Sequence, residues 1–233
     1  MIKQFKSKDK VLVLDFDHTC YDTDDFLLNE IRQPMLNRFK IPADIWEKSY
    51  KEALKVGYTL EQHRKELIKI KCPESFSLAE IKTFGQAIKF DGYLYSDVIP
   101  FIKEAKRKGY RVILLSFGAT SWQDAKVFGS GLNKFMDNIS YLTKEFGKVD
   151  VLKRCAPNCK EVIFVDNKVG DLDAVRKALP HVKTYLINRV PDYAKNAGGS
   201  EDIRIRFLES RMIAEAPVSE VHKRCRTLTE VVL

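Results

Sequence analysis

The stretch from Val11 to Thr19, Val-Leu-Val-Leu-Asp-Phe-Asp-His-Thr, decides the fold that this sequence predicts. Its first four residues are apolar and half of them are β-branched, which is typical of a strand that is covered on both faces. The run ends in two carboxylates, Asp15 and Asp17. Ligands of an open parallel sheet bind beyond the carboxyl ends of its strands. The stretch therefore predicts a buried strand that delivers two acidic side chains to one site.

Further apolar runs alternate with helical patterns along the chain. Strands are predicted at Val112–Leu115, Ile139–Leu142, Val162–Val165 and Val182–Ile187. Helices are predicted at Val98–Lys108, Ser121–Phe128 and Leu172–Leu179. Strands that alternate with helices indicate an α/β fold, in which a parallel sheet carries helices on both faces.

Residues 20–91 show the helical period with no strand pattern among them. We expect about four helices there, the first from Asp24 to Phe39 with a kink at Pro34. The sequence thus predicts two domains, a helical one over 20–91 and an α/β core formed by 1–19 with 92–233.

The sequence after Asn188 shows weaker patterns of helix and strand. A helix is predicted over Ile203–Ala214, and Val221–Leu233 is expected to return as an edge strand with a terminal turn. The structure and role of residues 190–220 stay open.

Composition narrows the class of protein. The chain has 233 residues, of which 45% are hydrophobic, and no apolar run reaches the length of a membrane span. The first six residues lack the apolar region of a secretory signal. Five cysteines, an odd number, argue against a disulfide scaffold and suit a reducing compartment. We therefore expect a cytoplasmic protein that does not act in a membrane.

The net charge of +8 raises the question of a nucleic-acid partner. The basic residues cluster at Lys3–Lys10 and Lys103–Arg111, just before the first and second strands. Both clusters should lie at the amino ends of parallel strands, on the face opposite the acidic site. We interpret them as solvated surface, so a nucleic-acid partner is not favoured.

Polar residues also follow the other strands. Ser116 ends the second strand, where a hydroxyl and free backbone N–H groups near a helix start can bind phosphate. Asp166 and Asn167 end another strand, and Asp171 follows them. Lys148 begins a helix, where its ammonium can balance a phosphoryl group and a carboxylate.

Together these elements resemble the motifs of the haloacid dehalogenase-like (HAD) superfamily, in the family's order. Residues 11–19 match the first motif, a hydrophobic strand followed by Asp-x-Asp-x-Thr/Val. Ser116 and Lys148 match the second and third, and Val162–Asp171 matches the fourth in its Asp-Asp/Asn-x-x-x-Asp form. The resemblance covers about residues 10–190. It implies a Rossmann-like core, with the helical block as a cap inserted between the first and second motifs.

The resemblance also implies catalytic roles. Asp15 would be the nucleophile that takes the phosphoryl group as an aspartyl-phosphate. Asp17 would protonate the leaving oxygen and then activate water. Ser116 would bind a phosphoryl oxygen, and Lys148, with Lys153 as the alternative, would bridge phosphate and nucleophile. The residues expected to bind the phosphate are Phe16, Ser116, Phe117 and Lys148.

A magnesium ion is the implied cofactor. It would be held by the carboxylate of Asp15, the backbone carbonyl of Asp17, and Asp166 or Asn167, with Asp171 supporting the shell from behind. Many members of the family carry Asp where this chain has Asn167. The loss of one negative charge should weaken Mg²⁺ binding.

The second carboxylate discriminates among the chemistries of the family. Members resembling haloacid dehalogenases lack it, whereas phosphatases and phosphomutases keep both Asp15 and Asp17. The leading expectation is a Mg²⁺-dependent phosphatase acting on a small phosphomonoester. A phosphomutase and a non-catalytic nucleic-acid-binding protein with this fold are the alternatives. Sugar phosphates, nucleoside monophosphates and phosphoglycolate-like acids remain open as substrates, and the chain could be a monomer or a dimer.

Overall fold

The computed structural model describes residues 10–70, 77–143, 147–155, 159–189 and 222–233. The predicted helix at Ile203–Ala214 lies outside these residues. None of the described helices is long and apolar enough to cross a membrane.

The centre of the molecule is a parallel sheet of six strands in the order β3-β2-β1-β4-β5-β6. The strands are β1 Lys10–Leu14, β2 Tyr110–Phe117, β3 Asn138–Leu142, β4 Glu161–Asp166, β5 Lys183–Ile187 and β6 Lys223–Cys225. The α/β class and all five strands predicted within the core are confirmed, and the C-terminal edge strand is present as β6. The first strand, which carries the two carboxylates, is central and lies between β2 and β4.

The helices of the core are α6 Val98–Arg107, α7 Thr120–Gly129, α8 Gly147–Cys155 and α9 Val169–Ala178. Side chains along β1 alternate between two apolar clusters, because successive residues of a strand point to opposite faces. Leu12 and Leu14 join the cluster that contains Ile102 of α6. Val11 and Val13 join the cluster formed with α8 and α9. Helices therefore cover both faces of the sheet.

The α-helices described between β1 and α6 are α1 Thr23–Phe26, α2 Gln33–Phe39, α3 Ala43–Lys55, α4 Leu60–Lys69 and α5 Leu78–Gln86. This set is the helical insertion. Its largest buried side chain, Trp46, stacks on Tyr50 with ring centroids 4.8 Å apart. The apolar interior of the insertion is continuous with one face of the sheet. The division into two domains stays a prediction.

The helical region predicted to kink at Pro34 is irregular just before that residue. A π-helical segment, Leu27–Arg32, joins α1 to α2. The N–H of Gln33 bonds the carbonyl of Leu28, five residues earlier. Proline in a regular α-helix clashes with the carbonyl four residues before it. The wider turn just before Pro34 replaces that regular register, and the chain stays helical through the proline.

Candidate active site

The site begins where β1 ends. The N–H of Asp15 still bonds to Val165 of the neighbouring strand at 3.0 Å. The chain then turns sharply, since the carbonyl of Phe16 accepts hydrogen bonds from the N–H groups of three residues, Thr19, Cys20 and Tyr21. This turn separates the side chains of Asp15 and Asp17 and gives each of them different partners.

Asp15 faces a buried lysine. The Nζ of Lys148 lies 2.6 Å from a carboxylate oxygen of Asp15, 2.6 Å from one of Asp166 and 3.2 Å from one of Asp171. Lys148 is 2% exposed and Asp166 is fully buried, so these charges interact away from water. The structure brings these four predicted residues together, whereas Lys153 is exposed.

Burial and charge shift the ionisation of this group. Burial raises the pKa of Asp15, an effect that Lys148 opposes and that the Asp166 carboxylate adds to. The pKa of Asp166 is raised for the same main reason. The surrounding carboxylates raise the pKa of Lys148 above its ordinary value, although burial acts in the opposite direction. The lysine is therefore a fixed positive charge among acids that carry more negative charge than it neutralises.

Asp17 faces a different set of donors. Its Oδ1 pairs closely with the Nζ of Lys126 and accepts a hydrogen bond from the hydroxyl of Thr23 at 2.6 Å. Its Oδ2 accepts from the Nε2 of Gln123 at 2.8 Å. Burial would raise the pKa of Asp17, but the charge and hydrogen bond of Lys126 and the hydrogen bond of Thr23 hold it below its usual range. Asp17 is a carboxylate in this arrangement.

Several polar atoms at the site are buried without a hydrogen-bond partner. They include the Oγ of Ser116 and the Oδ1 of Asn167. Burying a hydroxyl or an amide oxygen without a partner costs free energy, which a bound ligand would recover. The hydroxyl suits a phosphoryl oxygen, and the amide oxygen suits a hard cation.

The two predicted phenylalanines differ in burial. Phe16 is fully buried and stacks on Tyr21, with ring centroids 4.9 Å apart. A phosphate contact at Phe16 would therefore come from its backbone N–H. Phe117 is 40% exposed, and the Nζ of Lys168 lies 5.3 Å from its ring centroid.

The donor set fits a magnesium ion. Oxygen atoms of Asp15, Asp166, Asn167 and the Asp17 backbone are ligands that Mg²⁺ accepts. In the described ranges, no three side chains of His, Cys, Asp or Glu form a ready metal shell. Four carboxyl groups and two ammonium groups give a formal surplus of two negative charges when all the acids are ionised, and the raised pKa of Asp15 and Asp166 reflects burial and the cost of that surplus. A divalent cation would balance that excess and supplement the protein ligands with water.

The turn after β1 is fixed from outside the site. The guanidinium of Arg189 donates to the carbonyl of Thr19 at 2.9 and 3.1 Å and pairs with Asp97 at 2.8 Å. Asp97 in turn accepts from the N–H of Leu228 at 2.7 Å. The last described segment of the chain thus supports the loop that carries Asp17.

Three residues that hold Asp17 were not predicted from the sequence, namely Thr23, Gln123 and Lys126. A signal was present in the predicted helix Ser121–Phe128, which begins just after the strand end at Ser116. Gln123 and Lys126 are three residues apart and share one helix face. Both are at least 95% buried. A polar pair on a face that turns toward strand ends indicates contact with the site.

Comparisons with known proteins agree with this architecture. The family model described as haloacid dehalogenase-like hydrolase matches residues 10–178. No curated protein matches the chain. The fold is similar to that of a haloacid dehalogenase-like hydrolase from Burkholderia xenovorans, with 18% identity, a TM-score of 0.69 and coverage of 95% of this chain and 94% of that one.

Two further structures share the fold. The magnesium-bound HAD-hydrolase YfnB from Bacillus subtilis has 15% identity and a TM-score of 0.56, with 96% of each chain covered. An L-2-haloacid dehalogenase from Xanthobacter autotrophicus, with chloropropionic acid covalently bound, has 17% identity and a TM-score of 0.56. That likeness covers 94% of this chain and 95% of the dehalogenase. At these identities the similarity concerns the fold alone.

Proposed function

Because the chain belongs to the haloacid dehalogenase-like hydrolase family, we propose that it is a Mg²⁺-dependent phosphatase of small phosphomonoesters. The observation that carries the proposal is the pair of carboxylates after β1, each with its own buried lysine: Asp15 with Lys148 and Asp17 with Lys126. A nucleophile and a separate proton-transfer group are what hydrolysis through a covalent intermediate requires.

The proposed reaction has two steps. The carboxylate of Asp17 takes up the proton of the phosphate monoanion as the substrate binds. A carboxylate oxygen of Asp15 then attacks phosphorus, the bond from phosphorus to the leaving oxygen breaks, and Asp17 passes its proton to that oxygen. Water then attacks the aspartyl-phosphate while Asp17 takes its proton, which releases inorganic phosphate and restores Asp15. The Oγ of Ser116 and the ammonium of Lys148 would hold the phosphoryl oxygens throughout.

Mg²⁺ would be held by oxygens of Asp15, Asp166, Asn167 and the Asp17 carbonyl. When bound, it offsets the charge of the phosphate and of the surrounding acids. We place this chemistry in the cytosol, because Cys20, Cys159 and Cys225 are free thiols.

Dehalogenation is less well supported, although several structures with this fold carry that name. A halide leaves as an anion and needs no proton, so that reaction has no use for Asp17 as a general acid. The two surplus negative charges of the site would also repel a haloacid anion unless a cation were present.

The test is a screen for phosphate release with Mg²⁺ over sugar phosphates, nucleoside monophosphates and phosphoglycolate-like acids. Chloride release from 2-chloropropionate is measured in parallel. Asp15→Asn protein, purified identically, is the control for contaminating phosphatases. We expect phosphate release from the wild type only. Chloride release without phosphate release would replace the proposal with dehalogenation, and transfer of phosphate to another position of the substrate would replace it with a phosphomutase.

A further inference from the structure

Lys126 is a buried lysine that the motifs of the site do not require. It is 3% exposed, and its Nζ lies 5.4 Å from the ring centroid of Phe16 as well as against Asp17. Burying an ammonium costs several kcal/mol unless a partner compensates it. The compensating carboxylate is that of Asp17.

The helix that carries Lys126 is tied to the loop that follows Ser116. The Nε2 of Gln123, one turn before Lys126, donates to the carbonyl of Phe117 and to Asp17, both at 2.8 Å. Gly118 permits this approach, because a Cβ added to it would lie 2.6 Å from that Nε2. Its φ of +143° is also a conformation that other residues rarely adopt. Helix α7 is thus held against the strand end that is expected to bind phosphate.

Thr23 completes the surroundings of Asp17 from the helical insertion. Its hydroxyl donates to Oδ1 at 2.6 Å, so both oxygens of Asp17 have donors from fixed elements. Because one donor comes from the insertion and two come from α7, the direction of the carboxylate depends on how both elements pack. Lys126 supplies the one charged contact in this set.

We propose that Lys126 is a positioning residue, which fixes the carboxylate of Asp17 in the direction needed to transfer protons to and from the reacting oxygens. This inference rests on the proposed phosphatase function. It differs from the role of Lys148, which faces the nucleophile and the phosphate. Lys126 acts on the substrate through Asp17.

The test compares Lys126→Met, which keeps the length of the side chain without its charge, with Lys126→Arg and with Lys134→Met. Lys134 is exposed in the turn after α7 and is the matched control. The substrates are a series of aryl phosphates from phenyl phosphate to p-nitrophenyl phosphate. Along this series the leaving phenolate becomes more stable, so its departure depends less on receiving a proton. We expect Lys126→Met to lower kcat for phenyl phosphate by roughly 10²-fold, the lower end of general acid catalysis. The loss for p-nitrophenyl phosphate should be smaller, and KM and the Mg²⁺ concentration for half-activation should stay unchanged.

Lys126→Arg should recover most of the lost kcat, and Lys134→Met should match the wild type. A loss equal for all leaving groups would mean a general structural effect and would overturn the inference. A rise in kcat for phenyl phosphate would also overturn it, because the lysine would then be restraining the acidity of Asp17 rather than directing it.

A thermodynamic cycle checks the contact without any substrate. Lys126→Met and Asp17→Asn should each lower the unfolding midpoint, and the double variant should lose less than their sum, since the pair acts as a unit. Additive losses would show that the pair is absent and would overturn the inference. If the wild type hydrolyses no aryl phosphate and nothing in the metabolite panel, the phosphatase proposal itself fails. If the wild type is active and Lys126→Met behaves like Lys134→Met, only the present inference fails.

Discussion

The two buried lysines of the site differ in how much negative charge surrounds them. Lys148 lies within 3.2 Å of three carboxylates, whereas Lys126 pairs with Asp17 alone among the described ion pairs. The group around Lys148 therefore keeps a surplus of two negative charges, and the Lys126 pair is neutral. A surplus is suited to a bound cation, while a neutral pair is suited to holding one carboxylate in place.

This difference separates two tasks within one site. The charged group around Lys148 includes Asp15 and Asp166, the residues proposed to attack the phosphate and to bind Mg²⁺. The neutral pair contains Asp17, the residue proposed to move protons. Substitutions in the group around Lys148 and in the Lys126–Asp17 pair should therefore impair activity in different ways.

The largest effect is expected from Asp15→Asn, which should abolish turnover, because an amide is not a competent nucleophile. Phosphate release is measured with the best substrate of the panel, and mass spectrometry excludes deamidation back to Asp. Folding is checked by circular dichroism. Near-normal activity in a pure preparation would remove Asp15 from the mechanism.

Asp17→Asn should reduce kcat by roughly 10²–10⁴-fold, the usual scale of general acid–base catalysis. It should still allow the aspartyl-phosphate to form from a substrate with a good leaving group, since Asp15 and Lys148 are untouched. Rapid quenching followed by mass spectrometry detects the phosphorylated protein. If Asp17→Asn formed no aspartyl-phosphate and also showed no turnover, Asp17 would be needed for the attack by Asp15 as well. Nucleophilic attack and proton transfer could then not be assigned to separate parts of the site.

Stability should also distinguish the lysines. Lys148→Met leaves two buried carboxylates, Asp15 and Asp166, and the half-buried Asp171 without their cation. It should cost about 3–5 kcal/mol, as when one partner of a buried ion pair is removed. Lys126→Met should cost less, because the hydrogen bonds of Gln123 and Thr23 to Asp17 remain. Urea unfolding without Mg²⁺ gives both values, with Lys134→Met as the control. An equal loss of unfolding free energy in Lys148→Met and Lys126→Met would contradict the difference in the charge that surrounds the two lysines.

Most of the residues around Lys148 were predictable from the sequence, whereas most of those around Lys126 were not. Asp15, Ser116, Lys148 and Asp166 each stand at the end of an apolar strand or the start of a helix, positions that any parallel sheet brings to one edge. Lys126 lies two turns inside a helix, where its contact depends on how that helix packs. Patterns of strand ends predict a site, whereas contacts made by the middle of a helix require the packed structure.

The helical insertion also contains a feature that the sequence pattern does not predict. The helical period predicted its helices but not the π-helical segment that precedes Pro34, and the kink at that residue stays a prediction. Periodicity in the sequence does not distinguish a kinked helix from one with a wider turn, since both bury the same face.

A smaller effect is expected from Asn167→Asp, which adds a charge to the proposed magnesium ligands. Mg²⁺ should bind roughly tenfold more tightly, a gain of about 1.4 kcal/mol. Titration calorimetry with MgCl₂ measures this without turnover, and Asn37→Asp on the exposed surface of α2 is the control. Unchanged or weaker binding would remove Asn167 from the proposed metal site.

The smallest effect is expected from the basic surface at the end of α6. Lys106 pairs with Asp137 at 2.8 Å, and Arg107 and Lys108 pair with Glu104 at 2.7 and 3.8 Å. Helix α6 leads into the amino end of β2, whereas the site lies at the carboxyl ends of the strands. Part of the positive charge is thus neutralised locally, on the side of the sheet away from the site.

Turnover of a small phosphate ester should therefore change only modestly with salt, because Lys148, Ser116 and the proposed Mg²⁺ meet the phosphate inside a buried site. A protein that neutralises 6–10 phosphates of a nucleic acid would instead lose on the order of 10³–10⁵ in affinity between about 50 and 200 mM salt. We expect kcat/KM to vary by less than about threefold over that range, since buried charges are poorly screened. Changing Lys106, Arg107 and Lys108 together to Gln should leave this small dependence as it is. A steep dependence that the triple change flattens would reject the small-substrate proposal, because the positive surface opposite Asp15 would then be binding a polyanion.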